Sequence, residues 1–176
     1  MATLCWGVKQ SFRGYVEAAG GTVATTRGAE RAPDGGFLFP EGPLSTLAQG
    51  ADGRLRGAGR FQGQVSFNAH GGMLSVVLVD PWIEASEAGL ILTVADSPAA
   101  TRRLPFAKLD ADAMTTEALT TGALTTDAPT TDAPTTDGGL VLPAAITLDG
   151  MFLLGDHYPP GTVLDPVRLL GLQGGV

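Results

Sequence analysis

Near the start of the chain the apolar positions fall three and four residues apart. Val8, Ser11, Phe12, Tyr15, Val16 and Ala19 form one such series, which predicts an amphipathic helix over residues 4–19. Gly20 and Gly21 then end it, because glycine takes the left-handed cap at little steric cost.

From residue 21 to 101 the pattern changes to short β-type runs, separated by Asp34-Gly35-Gly36, Asp52-Gly53, Gly71-Gly72, Asp80-Pro81 and Ser97-Pro98. Strands are predicted at 36–39, 59–68, 73–79 and 90–94. Residues 60–68 alternate apolar with polar over part of their length, as a half-buried antiparallel strand does. Two further strands are predicted at 140–149 and 163–172, with Asp156-His157-Tyr158-Pro159-Pro160-Gly161 between them. The fold class that follows is mainly β (α+β): an antiparallel β-rich single domain over 1–176 with one prominent N-terminal helix.

One stretch breaks the pattern. Residues 113–137 repeat a pentapeptide five times, as AMTTE, ALTTG, ALTTD, APTTD and APTTD. Threonine pairs favour extended backbone, but Pro129 and Pro134 remove ladder donors, so the last two copies are not central strands. A polar hairpin tip or loop is the simplest reading, with a small stack of β-turns as the alternative.

Composition narrows the function classes. A chain of 176 residues suits one domain, and eighteen acidic against eleven basic residues repel phosphate backbones and anionic lipid. No nucleic-acid partner is expected, the densest basic run being Arg54, Arg56 and Arg60. Cys5 is the single cysteine, so no internal disulfide forms, and no CxxC or HxxxH spacing builds a zinc cage. The longest apolar run, 73–79, falls far short of the ~20 residues of a spanning helix. The opening residues show no export leader, which predicts either a cytoplasmic chain or one whose leader has been removed.

Chemistry concentrates at few positions. Ser11 and Tyr15, four apart, lie one turn from each other on one helix face. His70 precedes Gly71-Gly72, where backbone turns sharply or approaches a ligand. An imidazole brought to the Tyr15 phenol would favour phenolate, whose ordinary pKa is ~10, and phenolate is a hard ligand suited to ferric iron. His157 and Tyr158 form a second pair, but as neighbours on a strand they point to opposite faces and share no ligand. No GxSxG elbow, GxGxxG turn or Walker A run appears, so no enzyme is indicated.

Several strings then carry a family resemblance. Leu4-Cys5-Trp6-Gly7-Val8-Lys9-Gln10-Ser11-Phe12-Arg13-Gly14-Tyr15-Val16 resembles the opening W-G-V-K-x-S-F-R-x-Y-(I/V) of the HtaA domain, a haem-binding module of bacterial haem uptake. Residues 61–74, running through Phe67, Ala69-His70-Gly71-Gly72 and Met73, resemble its strand-turn ending G-x-(H/D)-G-x-L, and Asp80-Pro81-Trp82 its (N/D)P corner. Phe106-Ala107-Lys108-Leu109 is similar to its (F/L)A-x-L strand, and residues 158–167 to its closing FY-x-(A/P)GT-x-LDPV element. The repeat at 113–137 departs from the family pattern.

The resemblance implies that Tyr15 is the axial iron ligand, that His70 hydrogen-bonds its phenolate and that Ser11 contacts a propionate of ferric protoporphyrin IX. Val8, Phe12, Phe67 and Met73 are the expected apolar walls, and Tyr158 is expected to pack. The function expected is capture and passing on of ferric haem, without turnover, in the cell envelope or outside the cell. Expected partners are haem donors, an uptake transporter or a sister haem-binding protein, and a second copy of the chain. The alternatives are a peroxidase-like haem enzyme and a non-haem module that presents the threonine repeat.

Overall fold

The computed structural model describes residues 1–99, 101–118 and 138–174. Its elements begin with β1 (Thr3–Trp6), α1 (Gln10–Ala18), β2 (Thr22–Thr26), β3 (Glu30–Arg31), β4 (Phe37–Pro40), β5 (Ala48–Gln49) and β6 (Leu55–Arg56). They continue with β7 (Ala58–Arg60), β8 (Gln64–Ala69), β9 (Leu74–Ser86), β10 (Gly89–Ala95), β11 (Arg103–Leu109) and β12 (Thr115–Ala118). The last are β13 (Gly138–Leu142), β14 (Ala144–Ile146), α2 (Leu148–Leu153) and β15 (Val167–Leu170).

All strand pairing in the two main sheets is antiparallel, as the turn-punctuated pattern predicts. One sheet runs β12-β13-β15-β1-β4-β3, the other β14-β11-β10-β9-β8-β2 with β7 also on β9, and β5-β6 form a small ribbon. Aromatic rings join the two main sheets. Trp6 of β1 meets Phe106 of β11 edge to face at 5.2 Å, and Phe37 of β4 meets Phe67 of β8 at 5.8 Å. Helix α1 closes the core by placing Phe12 on Phe67 at 5.1 Å. Phe12 and Val16, one turn apart, are its buried positions.

The helix is shorter than its apolar spacing predicts. Leu4, Cys5 and Trp6 are instead the buried centre of β1, hydrogen-bonded between β4 and β15. A short run buried on both sides carries no period that tells helix from strand. Val8 marks the break, with φ 63 and no exposed surface. A left-handed β-branched residue costs ~1–2 kcal/mol, which full burial of the side chain, worth ~1.5–3 kcal/mol, offsets. The predicted end does hold: Gly20 N donates to Glu17 O at 3.0 Å and Gly21 N to Val16 O at 2.9 Å, a Schellman motif with Gly20 at φ 68.

Asp80-Pro81, read as a turn, lies inside β9. Asp80 has φ 46 and bends the strand, so Leu74–Val79 pairs with β8 while the later half pairs with β7. The strand predicted over 59–68 divides into β7 and β8 for the same reason. Register shifts in the pairing of β10 leave carbonyls free, and Arg103 takes them. Its guanidinium donates to the carbonyls of Asp80 and Thr93 and stacks 4.0 Å from Trp82, whose ring also lies 4.8 Å from the Arg60 guanidinium. Burial lowers the Arg103 pKa to about 10, against the pull of Asp80 and Glu84.

The strand predicted over 140–149 ends at Ile146, where Thr147 caps α2 by accepting from Gly150 N at 3.0 Å. A threonine three residues before that amide, with Asp149 in the first turn, is the cap signature the strand reading passed over. In the repeat, the first copy supplies β12, paired to β13 with Ala118 opposite Gly138. The remaining four copies fall at 118–137, of which only Ala118 is among the described residues.

Candidate functional site

The two ends of the chain clasp each other, and the clasp fixes α1. Lys9, at the helix N-cap, gives no side-chain cap; Asp165 Oδ1 accepts from Gln10 N at 2.9 Å in its place. Asp165 Oδ2 takes Arg13 Nη2 at 3.0 Å, its amide donates to Val8 O at 3.0 Å, and its carbonyl accepts from Trp6 Nε1 at 3.1 Å. Gly7 leaves the space this needs, since a Cβ there would stand 2.3 Å from Asp165 Oδ2. Lys9 Nζ donates to Val163 O at 2.8 Å and lies 5.3 Å from the Tyr158 ring. The opening string and the closing L-D-P-V string are thus two halves of one contact. The strand predicted over 163–172 is only β15 because its first residues serve that contact.

Held this way, α1 turns Ser11 and Tyr15 outward beside the buried Phe12 and Val16. The Tyr15 hydroxyl is 2.7 Å from His70 Nε2, and the side chain is 42% exposed. His70 reaches it from a left-handed turn: His70, Gly71 and Gly72 have φ 53, 64 and 93. Histidine tolerates that region better than most side chains, and the glycines take it freely. Met73 follows with 90% exposure. The phenol therefore stands on an open face with one imidazole nitrogen aimed at its oxygen.

His157 and Tyr158 both come to the same helix, which corrects the opposite-face expectation. They lie on no strand. Gly155 at φ 76 and Asp156 at φ 61 turn the chain after α2, and the alternation of strand side chains does not apply there. The His157 ring packs 5.5 Å from the Tyr15 ring, and the Tyr158 hydroxyl meets Ser11 Oγ at 2.9 Å while its ring stands edge-on to Phe12 at 6.5 Å. Tyr158 packs, as expected, and also supplies a hydroxyl to the rim.

The expected apolar walls separate into two groups. Val8, Phe12 and Phe67 are fully buried beneath α1, so they support Tyr15 from behind and present no surface. Periodicity marks an apolar position but not whether it faces a ligand or the core. Met73 is exposed directly after the His70 turn, and α2, two turns before His157, carries Leu148 and Phe152, exposed and one turn apart. The sequence reading assigns no helix here: the strand predicted over 140–149 covers Leu148 and stops short of Phe152. Among the described residues no three His, Cys, Asp or Glu side chains gather as a metal site, and no helix is long and apolar enough to cross a membrane.

The sequence profile of HtaA, described as Htaa, matches residues 1–170. The chain belongs to the HtaA family. Three solved structures have the fold of this HtaA-family chain. The N-terminal domain of HtaA from Corynebacterium glutamicum is similar with a TM-score of 0.66 and 19% identity, over 98% of this chain and 97% of that one. The C-terminal domain of the same protein gives 0.61 and 22%, over 97% and 96%. The heme binding protein HtaB from Corynebacterium glutamicum gives 0.60 and 18%, over 97% and 93%. No curated protein matches the chain. At these identities the likeness is one of fold, and the chemistry of this HtaA-family chain rests on its own side chains.

Proposed function

We propose that this chain captures ferric haem on the Tyr15 face and passes it on. The observation that carries the reading is the exposed Tyr15 hydroxyl 2.7 Å from His70 Nε2. Membership of the HtaA family and a fold shared with the heme binding protein HtaB support it. Ferric haem supplies a Lewis-acidic iron and a flat apolar ring, and the face offers a partner for each. Tyr15 Oη is the anionic oxygen ligand that ferric iron accepts. The proton it must shed has a receiver in His70 Nε2, which then donates back to the phenolate as a charge-assisted hydrogen bond. Met73, Leu148 and Phe152 give the ring apolar surface.

The carboxylate edge of the porphyrin falls to the polar rim. Ser11 Oγ and the Tyr158 hydroxyl, already paired at 2.9 Å, sit one turn before Tyr15, and the Lys9 ammonium beside Tyr158 adds positive charge. Nothing in this requires a bond of the porphyrin to be made or broken. An acceptor protein or a second copy of the chain would meet the haem across the same open face.

Hemin titration followed by visible absorption tests the reading. One hemin per chain should bind with a phenolate-ligated ferric spectrum. Tyr15→Phe should lose that spectrum and bind at least ~100-fold more weakly, and His70→Ala should weaken binding about 10–100-fold, the usual cost of losing a group that orients a metal ligand. A wild-type chain with no saturable shift, or a Tyr15→Phe variant that keeps the wild-type spectrum, would overturn it.

A further inference from the structure

The Tyr15 ring lies between two imidazoles. His70 and His157 stand 5.7 Å and 5.5 Å from it, ring centre to ring centre, with similar tilts of 53° and 52°. Their bonding differs. His70 Nε2 is held by the Tyr15 hydroxyl, whereas among the described residues neither ring nitrogen of His157 forms a hydrogen bond.

Both histidines are delivered by turns that local sterics disfavour. His70 is itself left-handed, and His157 follows Gly155 and the non-glycine Asp156, both at positive φ. Glycine at 155 supplies the left-handed backbone of this turn, at φ 76, and the His157 ring lies against it, 3.6 Å from where a Cβ would stand. A left-handed Asp156 is a backbone state that side chains seldom take, and what the chain gains by it is an exposed imidazole on the Tyr15 face. Such strain collects where position serves function.

The geometry points to His157 as a second iron ligand of this face, taking the ferric iron when Tyr15 releases it. This rests on the haem reading above. The exchange balances without redox change. The bond from iron to Tyr15 Oη breaks, Oη regains the proton kept on His70 Nε2, and a neutral His157 nitrogen gives its lone pair to iron, which stays ferric. His70 Nε2, having given up that proton, accepts the hydrogen bond of the restored Tyr15 hydroxyl and is not available to the iron. His157 is the imidazole left free, and an exposed side chain reorients in nanoseconds or less.

Two measurements test this, each with circular dichroism as a check on folding. In Tyr15→Phe/His70→Ala, hemin titration with electron paramagnetic resonance should still show a nitrogen-ligated ferric signal, and adding His157→Ala should abolish it. In the otherwise wild-type chain, His157→Ala should slow haem transfer to apomyoglobin at least threefold in stopped flow. If the double variant gives no nitrogen-ligated signal, if the triple variant keeps it, or if transfer is not slowed, the assignment of His157 is overturned while wild-type binding leaves the Tyr15 reading standing. A wild-type chain that binds no hemin removes both.

Discussion

At the scale of single residues, the chain sets reactive groups apart by burial. Tyr15, His70 and His157 are exposed on one face, while the only thiol, Cys5, is buried in β1. Burial pushes the Cys5 pKa above its ordinary 9.0, and the Asp34 carboxylate pushes it further. The sign follows from linkage. Below pH 9.0 the thiol is protonated in both folded and unfolded chains, so its contribution to stability is fully present. Above it the unfolded thiol ionises first, and stability falls at up to ~1.4 kcal/mol per pH unit until the folded value is passed. Urea unfolding at a series of alkaline pH values should therefore show a decline in the wild type that Cys5→Ala lacks.

Single residues were also what the sequence displayed best. Tyr15, His70 and Ser11 stand out because each belongs to a string whose order is itself specific, and the fold brings them to one face. Val8, Phe12 and Phe67, expected as pocket walls, are buried in the core, because apolar spacing does not distinguish a ligand wall from a core. His157 was discounted on a strand geometry that Gly155 and Asp156 abolish.

At the scale of elements, α1 is a nine-residue helix whose own sequence supplies neither an N-cap side chain nor an acidic first turn. Isolated helices of that length are marginal in water, so its stability comes from Phe12 and Val16 beneath it and from Asp165 at its end. Asp165→Ala should destabilise the protein by about 3 kcal/mol, through a broken, largely buried ion pair with Arg13 and a lost cap on Gln10. Asp165→Asn keeps an oxygen for the cap and should cost about half as much. Urea denaturation ranks the two, and the hemin affinity of each should fall in the same order, since both loosen the helix that carries Tyr15. None of this was legible from either string alone. The reason that Trp6, Gly7, Arg13 and Asp165 occur together appears only once the chain's ends are adjacent.

At the scale of the whole molecule, β1 lies beside β15, with Leu4 opposite Leu169. The turn signals announced an antiparallel β fold, but strand order was beyond them, because pairing partners more than a hundred residues apart leave no local trace. The bend inside β9 was missed for a related reason, since it depends on what lies across the sheet, whereas the helix start at Thr147 carries a local cap signature. A chain cut after Gly155 keeps Tyr15 and His70 and loses the clasp, β15 and His157. It should bind no hemin above the level of an unfolded chain, and near-ultraviolet circular dichroism should show the loss of fixed aromatic packing.

The clasp also sets a timetable. Synthesis releases Tyr15 and His70 well before Asp165, so a growing chain holds these groups long before it can aim them. Until the Asp165 segment emerges, the phenol and imidazole belong to a loose stretch with no shared surface on which to gather a porphyrin. On the proposed haem reading, capture waits for the clasp to close, and a chain whose closing string frays loses its aim before it loses its core.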